Sequence, residues 1–157
     1  MTGTTVRLPR AARDFLAEPS VATLTTLRPD GSPHVVPVRF TWDRKSGLAR
    51  VLTVATSRKA RNLTTTRVTP AAYVSPAGPT SPAALTTPAT PGGRAALCQV
   101  AGFRWLTLEG PATLSQDPSR IAEATTRYTH RYLSPPPAPP DRVVIEIAVD
   151  RFLHLNL

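Results

Sequence analysis

The sequence predicts a mainly β fold, a small closed or half-closed barrel of six antiparallel strands with few helices. Short apolar segments that alternate with a period of two are joined by turn signals such as Asp30-Gly31. Strands in antiparallel succession leave free sheet edges unless the sheet closes, and a barrel removes those edges. With 157 residues and 41% apolar content, the chain corresponds to one domain spanning residues 1–157.

The N-terminal part predicts a helix followed by a β-hairpin. Residues 8–17 have apolar side chains at helical spacing, and residues 20–27 suit a strand. The turn RPDGS at residues 28–32 leads into a returning strand at residues 34–42. Because Pro37 cannot donate to a ladder, it belongs at a sheet edge or a bulge, where free backbone groups can meet a ligand. The alternative is that Pro37 only protects the edge from aggregation.

The next segment predicts an anion site at the start of a helix. A strong strand at residues 48–55 follows a turn at residues 43–47, which completes an antiparallel meander. A short helix then begins with Ser57 as its N-cap and carries Arg58 and Lys59 in its first turn. A solvated, charged helix face is the alternative. Basic side chains in a first turn oppose the helix dipole, however, and a bound anion reverses that cost, so we expect a phosphorylated cofactor here.

The second half of the chain begins after a change in composition. Residues 64–93 are rich in Pro, Ala and Thr without a regular period, which predicts an insertion that is a loop or disordered. Two roles are open for this segment: it is either an insertion that the fold tolerates and that has no functional role, or a cover over the active site. The remaining predicted elements are strands at residues 94–100, 103–115 and 142–153, a helix at residues 119–133, a polyproline connector at residues 134–140, and a bulge or barrel corner at Gly110-Pro111.

Charge and composition narrow the classes of partner. The formal net charge of +9 suits either nucleic acid or a polyanionic small molecule. The basic residues are almost all Arg and are scattered, with SRKAR as the only tight group, which favours a local anion site over nucleic acid. A single cysteine, Cys98, excludes a disulfide framework, fits a reducing cytoplasm and is expected in the core. No apolar run reaches the length of a membrane span, so we expect a soluble protein.

The sequence assigns no catalytic side chain of its own. It contains none of the motifs GxGxxG, GxxxxGK[ST], HExxH or GxSxG, and its three His fall in separate elements, which argues against a zinc site. If the protein is an enzyme, a cofactor should therefore carry the chemistry. The interior of a small barrel is filled by side chains, so a cofactor of flavin size must bind outside it or between two copies, and a homodimer follows as a hypothesis.

Several segments together resemble a known family. The motifs SPHVV, FTWD, ARV, SRKA, QV-x-G-x-RWLTLEG, RY-x-x-RY and RVVIEI occur in this order over nearly the whole chain outside residues 64–93. They resemble the flavin and deazaflavin oxidoreductases of the pyridoxamine 5'-phosphate oxidase superfamily, which have an FMN-binding split β-barrel. The similarity is greatest to members that use the 8-hydroxy-5-deazaflavin coenzyme F420.

The resemblance implies where the cofactor binds. The SRK group would hold the coenzyme phosphate, and the backbone of the proline-containing strand would line the tricyclic ring together with the adjoining strand. Arg39 is a candidate contact for the substrate. The cofactor-binding residues implied in this way are Val36, Pro37, Val38, Thr53, Val54, Ser57, Arg58, Lys59, Gln99 and Arg104.

The resemblance also implies an activity, hydride transfer from reduced F420 to a conjugated small-molecule acceptor. A tetrapyrrole with propionate groups would suit the positive charge. The family's paired Arg around a His near the C-terminus is not reproduced in RFLHLNL, which argues against oxidation of pyridoxamine phosphate. Two alternatives stay open: an FMN-binding oxidoreductase on the same barrel, and a non-catalytic cofactor carrier or basic binding module.

Overall fold

A computed structural model describes residues 6–64 and 93–157. These two ranges contain three helices and eight strands. Nearly all of the predicted insertion at residues 64–93 lies outside these ranges. The elements in chain order are α1 (Arg10–Ala17), β1 (Ala22–Leu27), β2 (Pro33–Val38), β3 (Thr41–Asp43), β4 (Leu48–Val54), α2 (Arg58–Thr64), β5 (Arg94–Ala101), β6 (Arg104–Ser115), α3 (Pro118–Tyr132), β7 (Arg142–Ala148) and β8 (Arg151–Leu155).

The strands form one antiparallel sheet in the order β2-β1-β5-β6-β7-β4-β3, with β8 also paired to β6. The long strand β6 joins two halves of this sheet. Its first part lies between β5 and β8, and its last four residues pair with β7. The first half is therefore β2-β1-β5-β6-β8 and the second is β6-β7-β4-β3. The predicted class, a mainly β split barrel, is confirmed.

The corner between the two halves lies at Gly110. Just before it Glu109 pairs with Arg151 of β8, and just after it Ala112 pairs with Ile147 of β7. A Cβ atom at Gly110 would stand 1.9 Å from the carbonyl oxygen of Ala148. Only glycine allows the backbones to approach this closely, which confirms the predicted barrel corner.

The prediction of six strands was wrong because two predicted strands are each divided. The segment 34–42 ends as β2 at Val38 and resumes as β3 at Thr41. Between them, Phe40 makes its backbone hydrogen bonds with a side chain: its N–H donates to the Tyr132 hydroxyl and that hydroxyl donates to its carbonyl oxygen, both at 3.1 Å. Because the N–H and carbonyl of Phe40 are hydrogen-bonded to this hydroxyl, they cannot pair with a neighbouring strand.

The second division falls between β7 and β8. The N–H of Val149 donates to the carbonyl of Gly47, and the N–H of Asp150 donates to the carbonyl of Glu109. The chain therefore changes partners at these two residues. Both hairpins of the predicted meander form, β1 with β2 and β3 with β4. They lie in different halves of the sheet, however, so the three predicted strands do not make one continuous meander.

The core is built mainly from Val, Leu, Ile and Ala, with Phe15 and Phe40 as its buried aromatic rings. Helix α1 contributes Phe15 together with Ala12 and Leu16. Cys98 was expected in this core, but it is only half-buried, because its neighbours Leu97 and Gln99 face inward and the strand alternates. None of the helices in the described ranges is long and apolar enough to cross a membrane.

Candidate functional site

A cleft of about 360 Å³ opens beside the start of α2, and we call it the Lys59 cleft. Its walls come from the end of β2, the end of β4, the first residues of α2, one face of α3 and the proline-rich connector before β7. The chain brings these together because β2 stops at the Phe40 kink and β4 stops at the turn into α2. The lining residues are Pro37, Val38, Arg39, Leu52, Thr53, Val54, Ser57, Lys59, Tyr128, Pro136, Pro137, Pro139 and Arg142.

Ser57 caps α2 as predicted. Its Oγ accepts a hydrogen bond from the N–H of Ala60 at 3.3 Å, and its carbonyl accepts from the N–H of Arg61 at 3.0 Å. The hydroxyl oxygens of Ser57 and Thr53 lie 3.1 Å apart. Two hydroxyl groups are thus held together where β4 passes into the helix.

The electrostatics of the cleft centre on Lys59. Burial lowers the pKa of its ammonium group, and within the described ranges no hydrogen-bond acceptor or carboxylate contacts it. The pKa of His34 is lowered too, first by burial and then by the charges of Arg28, Lys59 and Arg58. A partly desolvated cation without a counter-charge is unfavourable, and a bound anion removes that penalty.

Aromatic side chains of α3 hold Arg39 in the opposite wall. Its Nη1 donates to the Tyr128 hydroxyl at 3.0 Å, which raises the pKa of the guanidinium. The guanidinium carbon lies 4.9 Å from the ring centre of Tyr132. Arg142 fixes the proline-rich wall, because it donates to the carbonyl of Pro136 and to the Thr125 hydroxyl, each at 3.2 Å.

Helix α3 is attached to the barrel by ionic contacts around buried Arg50. Nε of Arg50 donates to Glu146 Oε1 at 3.0 Å, and its Nη1 lies 3.3 Å from Asp43 Oδ2. From α3, Arg127 contacts Asp43 at 2.9 Å, and Glu123 lies 3.6 Å from Arg50. Burial alone would raise the pKa of Asp43, but hydrogen bonds from Ser46, from the Lys45 N–H and from Arg50 together lower it. The carboxylate therefore stays ionised and holds the helix that forms one wall of the cleft and precedes the proline-rich wall.

Seven of the eleven residues expected from the sequence line the Lys59 cleft. The other four are placed elsewhere: Val36 packs against the core, Arg58 is exposed, Gln99 is buried with its Nε2 bonded to the Phe15 carbonyl at 2.8 Å, and Arg104 pairs with Glu18. The contacts of Gln99 and Arg104 are those of residues that fix the end of α1. The seven that come together are Pro37, Val38, Arg39, Thr53, Val54, Ser57 and Lys59.

Sequence reasoning missed the contribution of α3 and of the segment after it. Tyr128 belongs to the motif RY-x-x-RY, which carries part of the family resemblance, so a signal for it was present. The prolines at positions 136, 137 and 139 were interpreted only as a connector. Nothing in their local sequence places them opposite α2, because that position depends on the docking of α3.

The split barrel and its cation-lined cleft define a protein of the FMN-binding split-barrel class. The chain belongs to the pyridoxamine 5'-phosphate oxidase family, whose profile matches residues 8–156. It is 42% identical over 153 residues to a biliverdin reductase of Mycobacterium tuberculosis that depends on reduced coenzyme F420, covering 98% of this chain and 92% of that relative.

Solved structures agree with this fold. A conserved hypothetical protein from Mycobacterium tuberculosis has a TM-score of 0.65 and 21% identity, over 96% of this chain and 86% of its own. A protein described as an F420 reductase has a TM-score of 0.62 and 23% identity, over 93% of this chain and 98% of its own. At these levels of identity the likeness concerns the fold alone.

The ionic contacts around Arg50 give a first prediction. Replacing Asp43 by Asn should lower the free energy of unfolding by about 3–5 kcal/mol, because Arg50 and Arg127 then lose a buried counter-charge. Asp150→Asn is the matched control: its pair with Arg94 is about half exposed, so the loss should be about 0.2–1 kcal/mol. Urea unfolding at neutral pH measures both changes.

The same pair of variants has a pH signature. The folded-state pKa of Asp43 lies below its unfolded value of 3.8, so its stabilisation is complete above that value and is lost as pH falls through the folded pKa. The stability difference between the wild type and Asp43→Asn should therefore be constant near neutrality and shrink in acid. Equal losses in the Asp43 and Asp150 variants would contradict a buried network.

Proposed function

We propose that this protein is an oxidoreductase that uses reduced coenzyme F420 to reduce a conjugated small-molecule acceptor. The observation that carries the proposal is the 42% identity, over 98% of the chain, to a biliverdin reductase dependent on that coenzyme. When bound, the deazaflavin supplies a hydride. Everything else must come from this chain's residues, which bind, orient and shield the reactants.

The Lys59 cleft fits a phosphorylated cofactor. Lys59 presents an ammonium group whose pKa is lowered by burial. Within residues 6–64 and 93–157, no carboxylate forms an ion pair with it. The hydroxyls of Ser57 and Thr53 lie next to it and can donate to phosphate oxygens. Lys59 and Ser57 would hold the phosphate, with Arg58 adding positive charge from its exposed position. The cation and the hydroxyls thus offer donors to a group that has only acceptors.

The remaining walls suit a flat, apolar ring. Pro37 and Val38 lie at the end of β2, which is an edge strand of the described sheet, and Thr53 and Val54 lie at the end of β4. An edge strand has backbone groups that no neighbouring strand uses, and Pro37 prevents another strand from pairing there. These residues would orient the ring and exclude water from one of its faces.

The first test is binding of the coenzyme. F420 should bind the wild-type protein with a Kd below about 100 µM, equivalent to roughly 5.5 kcal/mol, as measured by fluorescence quenching. Lys59→Ala should weaken binding about 10- to 100-fold, because one charge-assisted contact of about 1.5–3 kcal/mol is lost. Lys45→Ala removes the same charge from an exposed turn and should leave the Kd unchanged. A lower Kd for FMN than for F420 would replace the proposed coenzyme by FMN.

The pH dependence of that affinity adds a second readout. The pKa of Lys59 lies below its usual 10.5, so the free protein loses the ammonium charge earlier in an alkaline titration than an exposed lysine does. Affinity for F420 should therefore fall as pH rises through the folded pKa of Lys59. The Lys59→Ala variant should lack this fall. An identical alkaline profile in both proteins would assign the phosphate contact to another group.

Arg39 is the proposed contact for the acceptor. It lines the cleft wall across from α2, and its guanidinium still has donors besides the one that Tyr128 accepts. An acceptor with carboxylate groups, for which biliverdin is the compound to test, would be anchored by such a cation.

Replacing Arg39 by Gln should raise the KM for biliverdin about 10-fold or more and change the Kd for F420 by less than twofold. Tyr128→Phe is the control, because it keeps the ring and removes only the hydroxyl that accepts from Arg39. A small effect of Tyr128→Phe beside a large effect of Arg39→Gln indicates direct binding by Arg39. An unchanged KM in Arg39→Gln would remove Arg39 from the acceptor site.

We further propose that two copies of the chain complete the site. The outward face of the first sheet half exposes Val35, Val100, Leu153 and Leu155, with exposed fractions of 56%, 55%, 46% and 50%. Strand register places these residues on one face together with Pro37, which also lines the Lys59 cleft. A second copy that covers this apolar face would therefore reach the edge of the cleft. Gln99 and Arg104, predicted as cofactor contacts, alternate with Val100 and Trp105 and so lie on the other face of this sheet half, where a second copy on the apolar face does not reach them.

Light scattering tests the dimer. Wild-type protein should have twice the mass of one chain at about 10 µM, and Val100→Asp should be monomeric because a charge is then buried in the interface. The Val100→Asp variant should also bind F420 at least 10-fold more weakly than the wild type. Leu133→Asp, which changes an equally apolar residue at the end of α3 that is 90% exposed, should keep the wild-type mass. A wild-type monomer with full coenzyme affinity would refute this arrangement.

A further inference from the structure

We propose that the protein has a second ligand site, which binds an organic carboxylate in a cleft between α1, β3 and α3. This cleft has a volume of about 490 Å³, and we call it the Arg13 cleft. It shares no lining residue with the Lys59 cleft, so the proposal does not depend on the function proposed above. Its lining residues are Arg13, Leu16, Ala17, Thr41, Trp42, Thr126, Arg127, His130 and Arg131.

Unsatisfied polar atoms are concentrated around this cleft. Six buried side-chain nitrogen or oxygen atoms have no hydrogen-bond partner within the described ranges, and four belong to lining residues. These four are Nε of Arg13, Oγ1 of Thr41, Nε1 of Trp42 and Nε of Arg131. Thr41 is only 4% exposed, so water at the surface does not compensate its hydroxyl. Buried polar groups are nearly always paired in folded proteins, and a cluster of exceptions at one cleft indicates a missing partner.

The chemistry of these atoms defines that partner. The nitrogens of Arg13, Trp42 and Arg131 can only donate, and the Thr41 hydroxyl can donate as well. The missing group must therefore be an acceptor. An apolar ligand, or one that presents only N–H groups, would leave the same donors unpaired.

The charges around the cleft favour an anionic acceptor. No carboxylate is among the lining residues. Arg127 is neutralised by Asp43 and Glu123, but Arg131 donates to the carbonyls of Leu16 and Glu18 and to the Gln99 side chain, none of which carries charge. Within the described ranges, the guanidinium of Arg13 donates to no acceptor and pairs with no carboxylate. Two positive charges therefore lack a counter-ion beside the unsatisfied donors.

The rest of the lining distinguishes an organic carboxylate from a small inorganic anion. Leu16, Ala17 and the ring of Trp42 add an apolar wall to the cleft. A volume of about 490 Å³ exceeds what one inorganic ion fills and lies within the usual range for small-molecule sites. A guanidinium fork matches the two oxygens of a carboxylate. The cleft thus suits a carboxylate attached to a small apolar or aromatic body.

The Phe40 kink separates the two clefts. Arg39, just before Phe40, lines the Lys59 cleft, and Thr41, just after it, lines the Arg13 cleft. On α3, Tyr128 faces the first cleft and Arg127 the second. Each cleft can therefore be titrated and mutated without removing a wall of the other.

Calorimetry and NMR on the full chain test the site with benzoate as the probe, benzamide as its neutral isostere and inorganic phosphate as the small anion. Benzoate should bind with a Kd below about 5 mM and shift the indole N–H resonance of Trp42, which a Trp105→Phe variant assigns. Benzamide and phosphate should bind at least 10-fold more weakly. Benzamide binding as tightly as benzoate would refute an anion site, and phosphate binding as tightly as benzoate would refute the organic carboxylate.

Two variants on the same helix locate the site. Arg13→Gln should weaken benzoate binding at least 10-fold, whereas Arg10→Gln, which removes an exposed charge paired with Asp14, should change it less than twofold. Trp42→Phe keeps an apolar ring, removes the N–H donor and should weaken binding about fivefold. F420 affinity should be the same in all three variants. Failure of benzoate to saturate the wild type, or equal losses in the Arg13 and Arg10 variants, overturns the proposal.

Discussion

The buried side chain of Arg50 is the contact on which the architecture of the site depends. It lies in β4 and contacts carboxylates from β3, from β7 and from α3. A guanidinium in this position is unfavourable unless every neighbouring charge is present, so the four elements are held as one unit. Helix α3 buries only Ala124 and Tyr128, so polar contacts supply most of its attachment to the barrel. The Arg50 network fixes its middle, and the hydrogen bonds of Arg131 and Tyr132 fix its last turn. Both clefts have α3 as a wall, so the geometry of both depends on this network.

The kink at Phe40 has a comparable effect on the geometry. Had residues 34–42 continued as one strand, alternate side chains would have pointed to two faces of a single sheet. The Tyr132 hydroxyl instead accepts from the N–H of Phe40 and shares its single proton between the carbonyl oxygens of Phe40 and Ser20. One side chain thus ends β2, starts β3 in the other half of the sheet, and leaves Arg39 free to face the aromatic rings of α3. The position of the candidate acceptor contact follows from that single hydroxyl.

The features that the sequence predicted correctly are those that local rules determine. Ser57 caps a helix because its hydroxyl accepts from the N–H of Ala60, three residues on. Gly110 forms the barrel corner because only glycine permits that approach of two backbones. The break at Phe40 depends on a hydroxyl 92 residues away, and the orientation of Gln99 depends on a carbonyl 84 residues away. Periodicity in a short window contains no information on such partners. The same limit explains why Ser57 and Lys59 could be expected at the candidate site from the local sequence, while the opposite wall, formed by α3 and the proline-rich connector, could not.

The two clefts place unsatisfied positive charge in different ways, and this difference bears on what each can bind. In the Lys59 cleft the donors are a partly buried ammonium group on a flexible side chain and the hydroxyls of Ser57 and Thr53. These donors can rotate to meet a ligand. In the Arg13 cleft the donors are planar guanidinium and indole groups, and Arg131 is fixed by stacking 4.5 Å from the ring centre of Phe40. Guanidinium groups bind carboxylate and phosphate oxygens alike, so the apolar wall and the volume of the Arg13 cleft are what favour an organic carboxylate there. Because the two linings share no residue, each ligand should stabilise the fold independently of the other, by an amount that grows with the logarithm of its concentration divided by its own Kd.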